Sequence, residues 1–139
     1  MMRAILSFLW GLLALPALAA DVPPPVTVKL VVQASESDPA RWNLLLNNVK
    51  NAQKEMGTSL AEVEIVAFGP GLAMLKEGSE VRSRIQEALS RGVKVLACRN
   101  TMAGMNLKET DLQPNIGFVS SGVVEIIRKQ AEGYAYLRP

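Results

Sequence analysis

The chain has 139 residues, 15 lysines and arginines against 13 acidic residues, 49% hydrophobic residues, one cysteine and no histidine. That length suits one ordinary domain, and the aliphatic content indicates a packed globule rather than a disordered chain. Lacking imidazole, the sequence excludes histidine-based triads and the common zinc and haem sites, and a single thiol excludes an internal disulfide. A formal charge of +2 indicates neither a nucleic-acid surface nor an acidic tail, and no cofactor is implied.

Residues 1–19 have the layout of a secretory signal peptide. Arg3 supplies the positive start, residues 4–15 are an apolar run broken only by Ser7 and Gly11, and Pro16 precedes Ala17-Leu18-Ala19. This small-x-small pattern predicts cleavage after Ala19 or Ala20, and hence a periplasmic or secreted protein. The alternative is an uncleaved anchor, which would be the protein's sole contact with a membrane. Residues 20–25, with Pro23-Pro24-Pro25, read as a stiff leader ahead of one domain over residues 26–139.

The domain opens with a β-branched run at 26–34, predicted to be a strand covered on both faces. Ser37-Asp38-Pro39 then gives a helix start, with Asp38 as N-cap and proline at the first helical position. Trp42, Leu45, Leu46, Val49 and Met56 form one apolar face of that helix, and Gly57 closes it. A second strand is expected at 62–68, followed by Gly69-Pro70-Gly71 and a short helical piece to Leu75. Residues 79–91 predict an amphipathic helix with Val81, Ile85, Ala88 and Leu89 inward and Gly92 as its stop. A third strand at 93–97 delivers Cys98, and helical turns are expected at 101–105 and 108–112. A fourth strand at 116–119, a helix at 121–132 with Ser121 as N-cap and Gly133 as stop, and a fifth strand at 134–137 complete the chain. This alternation defines an α/β fold, a three-layer α/β/α domain with a five-stranded, mainly parallel sheet. The pattern leaves the strand order open.

Ligands of open parallel sheets sit beyond the carboxyl ends of the strands, which singles out Ser35-Glu36-Ser37, Gly69-Pro70-Gly71, Cys98-Arg99-Asn100-Thr101 and Ser120-Ser121-Gly122. Of these, only Cys98 is intrinsically reactive. Arg99 adds positive charge beside it, and a helix start at Asn100-Thr101 would favour a thiolate. A packed, inert cysteine is the competing reading. Gly69 and Gly71 allow backbone amides to approach an anion, but the segment lacks the lysine and spacing of a P-loop, and a tight turn explains it more simply. Asn43, Asn47 and Asn51 form a polar stripe along the first helix, a poor choice for helicity unless hydrogen bonds to another subunit or an adjacent segment offset it. Glu62 and Glu64, and Glu109 and Asp111, read as surface charge without basic partners suited to acid–base work.

The chain resembles the DsrE/DsrF-like family, which includes the sulfur-relay proteins DsrE and TusD. The resemblance spans about residues 26–139. It rests on Asp38-Pro39-Ala40-Arg41-Trp42-Asn43, Ala67-Phe68-Gly69-Pro70-Gly71-Leu72 and Val95-Leu96-Ala97-Cys98-Arg99-Asn100-Thr101-Met102. Ser121-Gly122-Val123-Val124-Glu125 and Gly133-Tyr134-Ala135-Tyr136 add to it. It implies the same three-layer fold, assembly into homo-oligomers such as trimers or hexamers, and sulfane sulfur carried as a persulfide on Cys98. Arg99, Asn100, Thr101, Gly69, Gly71 and Ser121 would surround that sulfur, and donor and acceptor proteins would be the partners. Two other functions are compatible with the residues. One is a non-catalytic, oligomeric ligand-binding or assembly module; the other is a redox sensor forming a Cys98–Cys98 disulfide between chains.

Overall fold

The computed structural model describes residues 26–139. The expected signal peptide and proline-rich leader lie outside the described residues. Five strands, β1 (Val28–Ala34), β2 (Leu60–Ala67), β3 (Lys94–Cys98), β4 (Gly117–Val119) and β5 (Ala135–Leu137), form one sheet in the order β4-β3-β2-β1-β5. Every pairing is parallel. Four α-helices connect them: α1 (Pro39–Met56), α2 (Arg82–Ser90), α3 (Arg99–Gly104) and α4 (Gly122–Ala131). The α/β architecture expected from the alternation is the one observed.

The strand order explains where the helices lie. From β1 to β4 the chain steps one strand at a time in one direction, so right-handed crossovers put the intervening segments on a single face. The return from β4 to β5 crosses the sheet the opposite way and puts α4 on the other face. The side chains follow this division. Val32, Val63, Ile65, Ala67, Val95 and Ala97 join the large core beneath α1 and α2, whereas Val31 and Val66 pack with Ile126 and Tyr134 beneath α4.

Local sequence accounts for the ends of these elements. Asp38 caps α1 by accepting a 2.9 Å hydrogen bond from the Ala40 amide, and Pro39 occupies the first turn. Trp42, Leu45, Leu46 and Val49 are buried as expected, and the Trp42 indole N–H donates to the Glu36 carbonyl at 2.6 Å. Met56 departs from the expected face and is exposed, because the last turn of α1 runs past the core with Lys54 and Glu55 into solvent. Gly57 leaves the helix at φ +51°, a conformation that a side chain would strain. The helix expected from residue 79 begins instead at Arg82. Residues 79–81 form a turn in which the Arg82 amide donates to the Ser79 carbonyl, while Val81 is still buried.

Candidate functional site

Cys98 is the last residue of β3, paired with Val119 of β4, and also the N-cap of α3. The two-residue period of the strand settles which way the thiol points. Val95 and Ala97 face the large core, so Cys98 faces the side covered by α4. The thiol is 4% exposed and donates weakly to the Ser120 carbonyl, 3.9 Å away.

Two segments converge on this sulfur. After β3 the chain turns into α3, and the Asn100 amide donates to the Ser120 carbonyl at 3.2 Å, tying the end of β3 to the β4–α4 connection. From the other side, α4 begins at Gly122, where a Cβ would lie 2.9 Å from both the Cβ and the Cδ1 of Phe68. The missing side chain lets the first turn of α4 rest on Phe68, beside Cys98. Burial pushes the Cys98 thiol up, but the Thr101 hydroxyl and the amides of Thr101, Gly122 and Asn100 outweigh it and hold the pKa below its ordinary value. Those donors stabilise a thiolate, which accepts hydrogen bonds better than a neutral thiol.

Other residues singled out in the sequence are brought near the thiol or diverted from it. Thr101 stands beside the sulfur and its hydroxyl also accepts a 2.9 Å hydrogen bond from the Gly69 amide. Gly69 therefore uses its N–H inside the chain. Gly71 is buried, and a Cβ there would lie 2.1 Å from the Ala34 carbonyl oxygen, so this glycine serves close packing of the turn against β1. Ser121 occupies the N-cap of α4, yet its hydroxyl makes no capping bond. Arg99 turns away from the sulfur to an ion pair with Glu109 at 2.7 Å and stacks over the Phe118 ring at 4.7 Å. An open cleft of about 470 Å³ lies next to the site, lined by Phe118, Val119, Ser120, Ser121, Val124, Glu125 and Arg128. Ser120 belongs to both the cleft and the surroundings of the thiol.

The asparagine stripe meets a partner within the chain. Arg84 of α2 donates to the side-chain oxygens of Asn43 and Asn47, the latter at 2.5 Å, and to the Asn43 carbonyl at 3.3 Å. Asn51 is exposed. A fork-shaped guanidinium answering two side-chain amides offsets the poor helix propensity of asparagine.

The carboxylates of β2 differ from their expected role as surface charge. Glu62 pairs with Lys94 on the neighbouring strand at 2.8 Å. Hydrogen bonds from Lys94 and Tyr134 hold its pKa at about 2. Glu64 is buried at 2% exposure under α4, 3.6 Å from Lys129, and its Oε1 has no hydrogen-bond partner. Burial raises the Glu64 pKa against the pull of Lys129, and neighbouring Glu125 raises it further. Glu109 and Asp111 do lie in a surface turn, where Asp111 accepts from the Lys108 amide.

Sequence reasoning did not assign Gly122 or the Ser120 carbonyl to the thiol. The available signal was a glycine at the first position of a helix, directly after a strand. Among the described residues no group of histidine, cysteine and carboxylate side chains could hold a metal ion, and no helix is long and apolar enough to cross a membrane.

A five-stranded, all-parallel α/β sheet with helices on both faces, here with a cysteine at the carboxyl end of its third strand, defines the class of domain. The comparisons give the family. The DsrE/DsrF-like family model matches residues 28–139, and the chain belongs to this family. It is similar to the protein of unknown function MTH1491 from Methanobacterium thermoautotrophicum, with 35% identity and a TM-score of 0.74. That match covers 81% of this chain and 99% of the other. The fold is shared with the protein of unknown function BT1422 from Bacteroides thetaiotaomicron (17% identity, TM-score 0.65, covering 80% and 94% of the two chains). It is shared also with the ychN protein from E. coli (13% identity, TM-score 0.61, covering 81% and 98%). No curated protein gives a significant match.

Proposed function

We propose that this protein is an exported sulfur carrier that holds sulfane sulfur as a persulfide on Cys98. The observation that carries this reading is the placement of the thiol: Cys98 ends β3, caps α3 and lies against the β4–α4 connection, where neighbouring donors hold its pKa below the ordinary value although it is buried. A thiolate is the form that attacks a sulfane sulfur. In loading, the Cys98 thiolate attacks the outer sulfur of a donor persulfide R–S–SH. A new S–S bond forms at Cys98, and the donor's own S–S bond breaks, with RS⁻ leaving on the electron pair. In unloading, an acceptor thiolate attacks the outer sulfur of Cys98–S–SH, takes it as its own persulfide and restores the Cys98 thiolate. No net oxidant is required in either step.

The remaining parts of the proposal follow from the surface and the leader. Val123, Val124 and Ile127 are 51%, 60% and 61% exposed on the outer side of α4. A continuous apolar stripe of this kind supports a homo-oligomer, trimer or hexamer, with α4 at the subunit contact. The cleft beside Ser120 offers the donor and acceptor proteins a way to the sulfur, and the signal-like residues 1–19 support a periplasmic or secreted location. The test is cyanolysis after exposure to polysulfide: the wild-type protein should release thiocyanate, and Cys98→Ser should release none. Equal release from both proteins would remove Cys98 from the account.

A second reading, a non-catalytic binding or assembly module, is favoured by one observation, the 4% exposure of the thiol. Native thiol titration separates the two. A carrier reacts while folded, whereas a packed cysteine reacts only after denaturation.

A further inference from the structure

The middle strand of a parallel sheet covered on both faces is normally apolar, yet β2 carries Glu64 there, buried beneath α4. Among the described residues, Glu64 Oε1 is the one buried side-chain polar atom without a hydrogen-bond partner. The other oxygen, Oε2, faces the Lys129 ammonium at 3.6 Å. That ammonium does not belong to Glu64 alone. It is also 3.9 Å from Glu125 Oε1 and 3.6 Å from Glu132 Oε2, and it donates to the Tyr134 hydroxyl at 3.5 Å. Glu125 has a second cation, Arg128, on its other oxygen, and Glu132 is about half exposed to water. Three carboxyl groups therefore share one nearly buried lysine, and Glu64 is the one with neither water nor a cation of its own.

The remaining charges around the strand are engaged elsewhere. On β1 the register partner of Glu64 is Val31, and Lys29, one pleat earlier, lies over the Tyr134 ring at 5.5 Å. On β3 the register partner is Lys94, which pairs with Glu62 at 2.8 Å. From α4 come Glu125, Arg128 and Lys129, and from the turn into β5 come Glu132 and Tyr134. Keeping an ionised carboxylate out of water without full pairing costs more than neutralising it, so a carboxyl in this position takes up a proton. The direction of its pKa agrees: burial, the largest cause, raises it, Lys129 lowers it, and Glu125 raises it again. Protonation also gives Glu64 an O–H, a donor that the ionised form lacks, beside the Glu125 carboxyl.

We infer that Glu64 is a buried proton-binding site whose neutral carboxyl clamps α4 to the sheet, and that loss of this proton loosens the helix. Glu125, Arg128 and Lys129 stand at i, i+3 and i+4 on α4, so one face of one helix brings the whole set of partners down onto Glu64. When that helix lifts, Glu64 meets water and titrates at its ordinary value, near 4.5; when it docks, the value is raised. Below about 4.5 the carboxyl is neutral in both states and the clamp is complete. As the pH rises through the docked value the proton is lost and the clamp weakens. The same helix covers the sheet face that carries Cys98, so α4 opening widens the way to the thiol. That consequence, a sulfur site more accessible at neutral pH than in acid, rests on the carrier reading; the proton site does not.

The experiment is amide hydrogen exchange of the full chain from about pH 4 to about pH 8, corrected for the intrinsic rate, with α2 as the internal reference for α4. Opening of α4 in the wild type should rise with pH by up to about tenfold per unit between the ordinary and the docked value, because one proton is released. The amides of α2 should show no such rise. Glu64→Gln keeps the size of the side chain and cannot ionise, so its α4 should exchange with no dependence on pH beyond the intrinsic one. A flat wild-type profile, the same rise in Glu64→Gln, or a parallel rise in α2 would overturn the inference. If Glu64→Gln fails to fold, the carbon-13 titration of the Glu64 carboxyl in the wild type decides: a midpoint above the ordinary glutamate value supports the site, and an ordinary or lower one overturns it. Polysulfide loading of the same proteins keeps the two ideas apart. A pH-dependent α4 in a protein that never loads sulfur would retain the proton site and remove the carrier; sulfur loading with a pH-independent α4 would do the reverse.

Discussion

On one side of the sheet, α1, α2 and the 3₁₀ segment Gly69–Leu75 enclose Ile65, Leu72, Met74, Leu75, Ile85 and Val95, all fully buried. On the other, α4 alone covers Val31 and Val66; Glu64 and Cys98 lie beneath or beside it, and Lys129 of α4 reaches in toward Glu64. The first side follows the ordinary rule of an apolar, close-packed interior. The second breaks it with a buried carboxylate, a half-buried lysine network and a thiol, under a helix whose outer face is apolar. A sheet of five parallel strands needs cover on both faces, and one ten-residue helix supplies little of it. Most of the apolar core lies on the thick side, and the buried polar and ionisable groups lie on the thin one.

Substitutions can break this contrast. Leu72→Ala, in the thick layer, should destabilise the domain by about 2–5 kcal/mol in chemical denaturation, because its cavity has well-packed walls that cannot collapse. Ile126→Ala on α4 should cost clearly less, since the thin layer is open at its edge; equal losses would mean that the two faces are equally packed. Gly122→Ala is the next largest effect. Its Cβ would meet Phe68 at 2.9 Å, which predicts a loss of about 1–3 kcal/mol from overpacking. The same displacement moves the Gly122 amide off the sulfur, so the Cys98 pKa should rise.

Glu64→Gln tests the buried charge. A carboxyl whose pKa is raised by folding contributes stability below its unfolded value, near 4.5, and loses it as the pH rises through the folded value. Glutamine does not ionise, so this variant should equal the wild type in acid and exceed it at neutral pH by about 1 kcal/mol. A variant less stable than the wild type at neutral pH would show that the Lys129 pair outweighs the cost of burial. The smallest effect belongs to the rim. Glu62, depressed to about 2, adds stability above about 4.5 that is lost as the pH falls toward 2. Lys94→Met should reduce that acid-range loss while costing under about 1 kcal/mol at neutral pH, because the Lys94 side chain is more than half exposed.

The sequence and the structure agree most closely where the determinants are local. Asp38-Pro39 starts a helix, glycines at 57, 92 and 133 take positive φ, and β-branched runs become strands. Cys98 could be placed at a strand end by the same local pattern. What escaped depends on partners distant in the chain. The order of strands is a matter of pairing, and a two-residue alternation cannot show that α4 returns across the sheet to bury Glu64. Arg84 meets Asn43 from 41 residues away, so the asparagine stripe looked unpartnered. Arg99 looked like a neighbour of the thiol because it follows Cys98 directly, yet successive residues diverge at a strand end, and its guanidinium goes to Glu109 and Phe118. Thr101 was near the thiol in both views, but its bond to the Gly69 amide becomes visible only once the two turns are side by side.

The most direct test of the central claim is the intact mass of the natively folded protein after polysulfide treatment and removal of excess reagent, with and without subsequent reduction. The account predicts a species heavier by one sulfur, about 32 Da, that maps to Cys98, disappears on reduction and is absent from Cys98→Ser. A single unmodified mass under the same conditions would contradict it and leave Cys98 as a packed residue of the thin layer.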